Sequence, residues 1–159
     1  MEYLFVISDH VARSAGQNFR RYLFYLIPSD QRLVIIKGAR GTGKTTLLLQ
    51  LMKSARVADH EKIYISLDHI YFLENKLFDV ADRFQKLGGK VMFLDEIHRY
   101  PGWASEIKNI YDHFPELRIV GTGSSALSIQ KGEADLSRRA LVFRLKLLIV
   151  KRSTIPTKT

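Results

Sequence analysis

The densest chemistry in the chain lies in one short run, Gly38-Ala39-Arg40-Gly41-Thr42-Gly43-Lys44-Thr45, followed by Thr46. Its spacing is G-x-x-x-x-G-K-[ST]. Glycines at these points let the backbone curl until successive N–H groups aim at one spot. That makes an anion nest, backed by the positive end of a helix that starts near Lys44. In such a nest Lys44 reaches the outer phosphates of a nucleotide and Thr45 offers its hydroxyl to Mg²⁺. Gly38 to Thr46 are therefore the candidate cofactor-binding residues. Arg40 has no assigned role inside the loop and reads as a solvated side chain.

A second cluster closes the apolar run Val91-Met92-Phe93-Leu94 with Asp95-Glu96. An acid at the exit of a buried strand can hold Mg²⁺, usually through water. The next acid, Glu96, can polarise an attacking water as general base. Alone the pattern is weak, because strands often end in acids where the chain returns to solvent. Its weight comes from lying downstream of the phosphate loop. Asp68 also follows a strand candidate and reads as a structural acid rather than a metal-shell one.

A third cluster, Thr122, Ser124 and Ser125, follows Leu117-Arg118-Ile119-Val120. Either Thr122 or Ser124 is placed to sense an outer phosphate or the attacking water; the competing reading is turn chemistry. Arg138-Arg139 comes just before the last strand candidate. Arginine best supplies positive charge to a transferring phosphate, here on a neighbouring subunit; an exposed basic pair is the equal alternative. The candidate catalytic set is thus Glu96, Lys44, Arg138, Arg139, Thr122 and Ser124, with Thr45 and Asp95 for Mg²⁺. His98, close to Asp95-Glu96, is placed to couple to the site but reads as incidental, and the histidines show no metal-ligand spacing.

These clusters need elements to position them. Continuous apolar or β-branched runs at Leu33–Ile36, Ile63–Leu67, Val91–Leu94, Leu117–Val120 and Leu141–Val150 suit strands covered on both faces. Helical spacing marks Phe19–Leu26, Thr45–Ala55, Leu73–Leu87 and Trp103–Phe114, with a short helix expected over Ser124–Ile129. Strands alternating with helices imply an α/β fold, a parallel sheet with helices on both faces and ligands at the carboxyl ends of the strands. Three polar clusters stand at just those ends.

Composition narrows the class. A chain of 159 residues with 46% hydrophobic and 26% charged residues suits one globular core. It has no cysteine, which excludes disulfides and thiolate metal sites and agrees with a reducing, cytoplasmic location. Met1–His10 is not patterned as a signal peptide, and no apolar run reaches membrane length. The net charge of +9 makes nucleic acid a conceivable partner. However, Arg144, Lys146, Lys151, Arg152 and Lys158 crowd an acid-free C-terminal stretch, so the remainder is only mildly basic.

Taken together, the phosphate loop, Leu94-Asp95-Glu96-Ile97-His98-Arg99-Tyr100-Pro101-Gly102-Trp103, Val120-Gly121-Thr122-Gly123-Ser124-Ser125 and Glu133–Ala140 resemble AAA-type ATPases of a poorly characterised prokaryotic family. The resemblance covers roughly residues 1–146. It implies a P-loop NTPase of the AAA type, a three-layer α/β/α core on a mainly parallel five-stranded sheet. It assigns Walker A, Walker B and sensor 1 roles to the three clusters, and an arginine finger to Arg138 or Arg139. Relatives continue past the fifth strand into a joint, a lid and a C-terminal domain. Here 147–159 reads as an irregular basic tail, like a truncated or frame-shifted end, so hydrolysis is expected to be weak.

The expected activity is ATP binding, with ADP as product, and Mg²⁺-dependent hydrolysis, with a homo-oligomer formed through Arg138 or Arg139. The alternative is a non-hydrolysing, nucleotide-gated module for a protein or nucleic-acid partner. Other phosphate-loop classes fit less well. Asp95-Glu96-Ile97-His98 resembles a helicase box, yet the chain has no second motor domain. No GTPase base-recognition element follows the second motif, and no arginine-rich kinase lid is visible.

Overall fold

The computed structural model describes residues 1–14, 16, 19–124 and 136–147. Five strands form the sheet: β1 (Leu33–Gly38), β2 (Lys62–Ser66), β3 (Val91–Asp95), β4 (Arg118–Ser124) and β5 (Leu141–Leu145). Their order is β2-β3-β4-β1-β5, and every pairing is parallel. The sheet is thus wholly rather than mainly parallel. The helices are α1 (Glu2–Ser14), α2 (Leu23–Leu26), α3 (Lys44–Ser54), α4 (Leu77–Lys86) and α5 (Trp103–His113).

Side chains alternate across a strand, so each central strand feeds two cores. Leu33, Ile35, Met92, Leu94 and Ile119 pack with α4 and α5 on one face. Val34, Ile36, Phe93 and Val120 pack with α2 and α3 on the other. Phe93, Met92, Ile36 and Leu94 are fully buried. Burying such side chains contributes about 1.5–3 kcal/mol each, before chain entropy is set against it. The two-sided burial explains why these strands read as unbroken apolar runs.

The N-terminal segment, whose residue pattern is mixed, is helix α1. It packs along β2, and the Ser8 hydroxyl accepts the Tyr64 N–H at 2.8 Å. This bond satisfies one free ladder N–H of the edge strand, and a helix laid there blocks edge pairing.

Three expected elements are shorter. Of Phe19–Leu26 only Leu23–Leu26 is helical; Phe19 and Leu26 are exposed, while Leu23 and Ile27 take the buried positions. Ile27 is extended ahead of Pro28, as the residue before proline prefers. Of Leu73–Leu87 the helix covers Leu77–Lys86; Ile70–Leu73 forms a separate 3-10 turn and Lys76 is extended. Leu73 is exposed and does not belong to the buried stripe. Strand β5 ends at Leu145 rather than continuing to Val150. Ser125, the helix expected over Ser124–Ile129, Glu133–Asp135 and the tail beyond Leu147 lie outside the described residues.

Candidate functional site

The site forms where β1 and β3 end. The loop after β1 turns back on itself, with Gly43 at φ 85°, a left-handed conformation open to glycine at little cost. Gly38 faces a closer constraint. A Cβ there would lie 2.7 Å from the Leu145 carbonyl oxygen and 2.9 Å from the Thr42 hydroxyl, so only glycine lets the loop leave the sheet beside β5.

The loop is braced from within and from behind. The Thr42 hydroxyl donates to the Ala39 carbonyl at 2.8 Å. Lys44 is buried, and its Nζ donates to the same carbonyl at 2.9 Å. From outside the loop, Arg21 Nη2 donates to the Thr42 carbonyl at 2.6 Å and Nη1 to the Lys146 carbonyl at 3.5 Å. Helix α3 begins at Lys44, so its first unpaired N–H groups belong to the loop.

Strand parity fixes the next layer. Asp95 lies two residues beyond Phe93 and Thr122 two beyond Val120, so both point to the α3 face, as Tyr64 does on β2. There the Asp95 carboxylate collects four donors. Thr45 Oγ1 and Tyr64 Oη reach Oδ2 at 2.7 and 3.0 Å. Thr122 Oγ1 and the Glu96 N–H reach Oδ1, the latter at 3.0 Å. Asp95 is only 2% exposed. A buried carboxylate needs such a set, since a lost partner would leave part of its desolvation uncompensated. Burial, and then the neighbouring Asp95 charge, push the Tyr64 phenol well above its ordinary range.

Glu96 is the one non-glycine residue at positive φ among the described residues, at φ 54° and ψ 37°. Left-handed backbone costs a side-chain-bearing residue roughly 1–2 kcal/mol, and such strain clusters at functional sites. The kink swings Glu96 out of the strand direction and starts the 3-10 turn Ile97–Arg99. Ile97, Tyr100 and Trp103 are buried and pin that turn. Tyr100 accepts the Leu77 N–H at 3.3 Å and donates to Glu106 at 2.8 Å, tying α4 to α5. Much of the stretch from Leu94 to Trp103 is therefore scaffold.

These residues surround a cleft of about 470 Å³ lined by Arg40, Gly41, Gly43, Lys44, Thr45, Asp68, Glu96, His98, Arg99 and Ser124. Asp95 and Thr122 lie beneath its floor. Asp68 accepts from Ser66 Oγ at 2.5 Å at the rim. Thr46, the third helical residue, is exposed. The structure separates two alternatives left open by the sequence: Thr122 supports Asp95, whereas Ser124 faces the cleft.

Arg138 and Arg139 are not brought to this cleft. They precede β5 and so sit at the opposite end of the sheet. Arg139 makes a two-pronged pair with Asp112 at 2.9 and 3.0 Å, each holding the other in its charged form. The cleft's own arginines are Arg40 and Arg99. Sequence reasoning missed Tyr64, Arg21 and Arg99 and weighed a coupling role for His98 below an incidental one. The helicase-like spelling Asp95-Glu96-Ile97-His98 was the one available signal for His98.

Among the described residues, no helix is long and apolar enough to cross a membrane. The sequence profile of a family described as an AAA domain matches residues 30–151. An uncharacterized protein of Methanocaldococcus jannaschii is 34% identical over 126 residues, which is 74% of this chain and 26% of that protein. The chain thus spans about a quarter of the length of that curated relative. Among solved structures, C. elegans PCH-2 is similar with a TM-score of 0.51 at 19% identity, covering 91% of this chain and 41% of that one. AMPPCP-bound DnaA from Aquifex aeolicus has a TM-score of 0.47 at 15% identity, covering 87% and 44%. The PCH-2 likeness is one of fold.

Proposed function

Because this chain belongs to the AAA domain family, we propose that it binds ATP with Mg²⁺ in the cleft at the β1–α3 loop and hydrolyses it to ADP and phosphate. One observation carries the reading: Lys44, Thr45 and Glu96 line a single cleft, with Asp95 hydrogen-bonded directly to Thr45.

The N–H groups from Gly41 to Thr45 cradle the phosphates, and Lys44 exchanges the Ala39 carbonyl for phosphate oxygens. The Thr45 hydroxyl and Asp95 carboxylate are hard oxygen donors 2.7 Å apart, the ligand type that Mg²⁺ prefers. They are the residues that would hold the ion. Mg²⁺, when bound, neutralises charge on the outer phosphates. Glu96 takes a proton from the water that attacks the γ-phosphorus. The bond to the β–γ bridging oxygen breaks, and ADP leaves with that electron pair. Ser124 is the sensor of the outer phosphate, and Arg40 and Arg99 add positive charge within the same chain.

Arg138 and Arg139 lie away from their own cleft, so a role on phosphate requires the cleft of a second copy. Residues 1–146 form the nucleotide-binding core in this reading, apart from the 147–159 tail, in a cytoplasmic protein.

Measuring ATP affinity and phosphate release on one sample tests the proposal. Glu96→Gln should keep ATP affinity and lower release by about 10²-fold or more. Release at the parent's rate would remove Glu96 as base. Tight binding with no release by the parent would favour a nucleotide-gated binding module instead.

A further inference from the structure

The His98 ring stands between two parts of the cleft, the tip of β4 and the Glu96 carboxylate. Its Nδ1 is 3.2 Å from the Ser124 main-chain nitrogen, which donates to it. Its Nε2 is 3.5 Å from Oε2 of Glu96. The first contact decides the tautomer. A ring nitrogen that accepts an N–H carries no proton, so the neutral imidazole holds its proton on Nε2, the nitrogen facing the carboxylate. The side chains of His98 and Glu96 are 12% and 31% exposed, so water competes little at the ring and more at the acid.

The anchoring is also in place. Fully buried Ile97 fixes the 3-10 turn that carries His98. Glu96 sits in left-handed backbone, which turns its side chain off the strand direction and into the cleft lining. Among the described residues, the Glu96 carboxylate pairs with His98.

We propose that His98 is a positioning residue that ties the Glu96 carboxylate to the tip of β4. The imidazole converts the position of the Ser124 main chain, beside the outer phosphate, into the direction of the base. Resting on the hydrolysis reading, it gives a side chain outside the three motifs a place in the reaction: it acts on turnover and leaves nucleotide affinity alone.

Three variants separate the two contacts. His98→Ala removes both. His98→Asn keeps an acceptor for the Ser124 N–H but is too short for Glu96. His98→Gln carries an amide N–H to the depth of Nε2. Phosphate release is measured with Mg-ATP, and affinity with a non-hydrolysable ATP analogue, on the 159-residue chain. His98→Ala and His98→Asn should lower kcat about tenfold or more, the scale of a misplaced catalytic group. Analogue affinity should stay within about twofold, and His98→Gln should recover a large part of kcat.

An alanine variant with the parent's kcat overturns the proposal, as does a parallel loss of affinity and turnover, which marks a merely structural role. If the alanine variant does not fold, Asn against Gln decides: equal rates overturn it. A parent that binds ATP but releases no phosphate defeats the hydrolysis reading and this inference together. An active parent with an unaffected His98→Ala defeats the inference alone.

Discussion

The Tyr64 hydroxyl donates to Oδ2 of Asp95 at 3.0 Å, the same oxygen that accepts from Thr45 at 2.7 Å. A residue of the outer strand β2 thus holds the acid of β3 against the first turn of α3. Tyr64→Phe keeps the ring and removes the donor, while Asp95 retains Thr45, Thr122 and the Glu96 N–H. The expected cost is about 1–2 kcal/mol of stability, read by denaturant unfolding.

The same contact predicts a pH effect. The Tyr64 phenol titrates higher in the folded chain than its ordinary 10.0, chiefly through burial and then through Asp95. Above pH 10 the unfolded chain loses this proton first and binds fewer protons than the folded one. Stability is therefore fully present below pH 10 and falls as pH rises beyond it. Tyr100, also raised by burial and by Glu106, adds to the slope. Tyr64→Phe should flatten the decline in a series of thermal melts; an unchanged slope would contradict the coupling.

Glu96 trades stability for direction. Asparagine tolerates left-handed backbone better than glutamate. Glu96→Asn should raise stability by about 0.5–1 kcal/mol while losing turnover. A melting temperature at or below the parent's would show that φ 54° carries no strain.

Arg21 braces the phosphate loop from outside, through the Thr42 and Lys146 carbonyls. Removing it loosens the nest without touching any group that lines it. Arg21→Ala should weaken ATP binding about fivefold, or roughly 1 kcal/mol, in a calorimetric titration. Unchanged affinity would mean the loop holds its shape unaided.

A phosphate role for Arg138 requires the cleft of a second copy, and that role makes a prediction. Arg138→Ala and Lys44→Ala should each be inactive alone, and a mixture should regain activity, because one copy then offers an intact cleft and the other an intact arginine. A mixture as inactive as its parts removes the intersubunit role.

What was legible in the sequence follows from which signals are local. The phosphate loop is contiguous, and β1, β3 and β4 are buried on both faces, so their residue types alone reveal them. Asp95 and Glu96 stand beside their strand and are found with it. Tyr64 is not legible, because an aromatic inside a strand run reads as core until the register with β3 brings it beside Asp95. Arg21 reaches the loop through a tertiary contact across an irregular segment. Helix α1 buries only Leu4 and Ser8, too little to stamp a stripe on its sequence. The apolar Leu73 mimicked a continuation of α4, yet the extended Lys76 interrupts the helix between them.

Everything in the mechanism depends on Lys44 and the loop around it receiving a triphosphate. Calorimetric titration of ATP with Mg²⁺ into the parent chain and into Lys44→Ala tests this most directly. The parent should bind saturably and the variant should lose affinity by about tenfold or more, the scale of a charge-assisted phosphate contact. Equal affinity in a folded Lys44→Ala chain, or no binding by the parent, would contradict the mechanism.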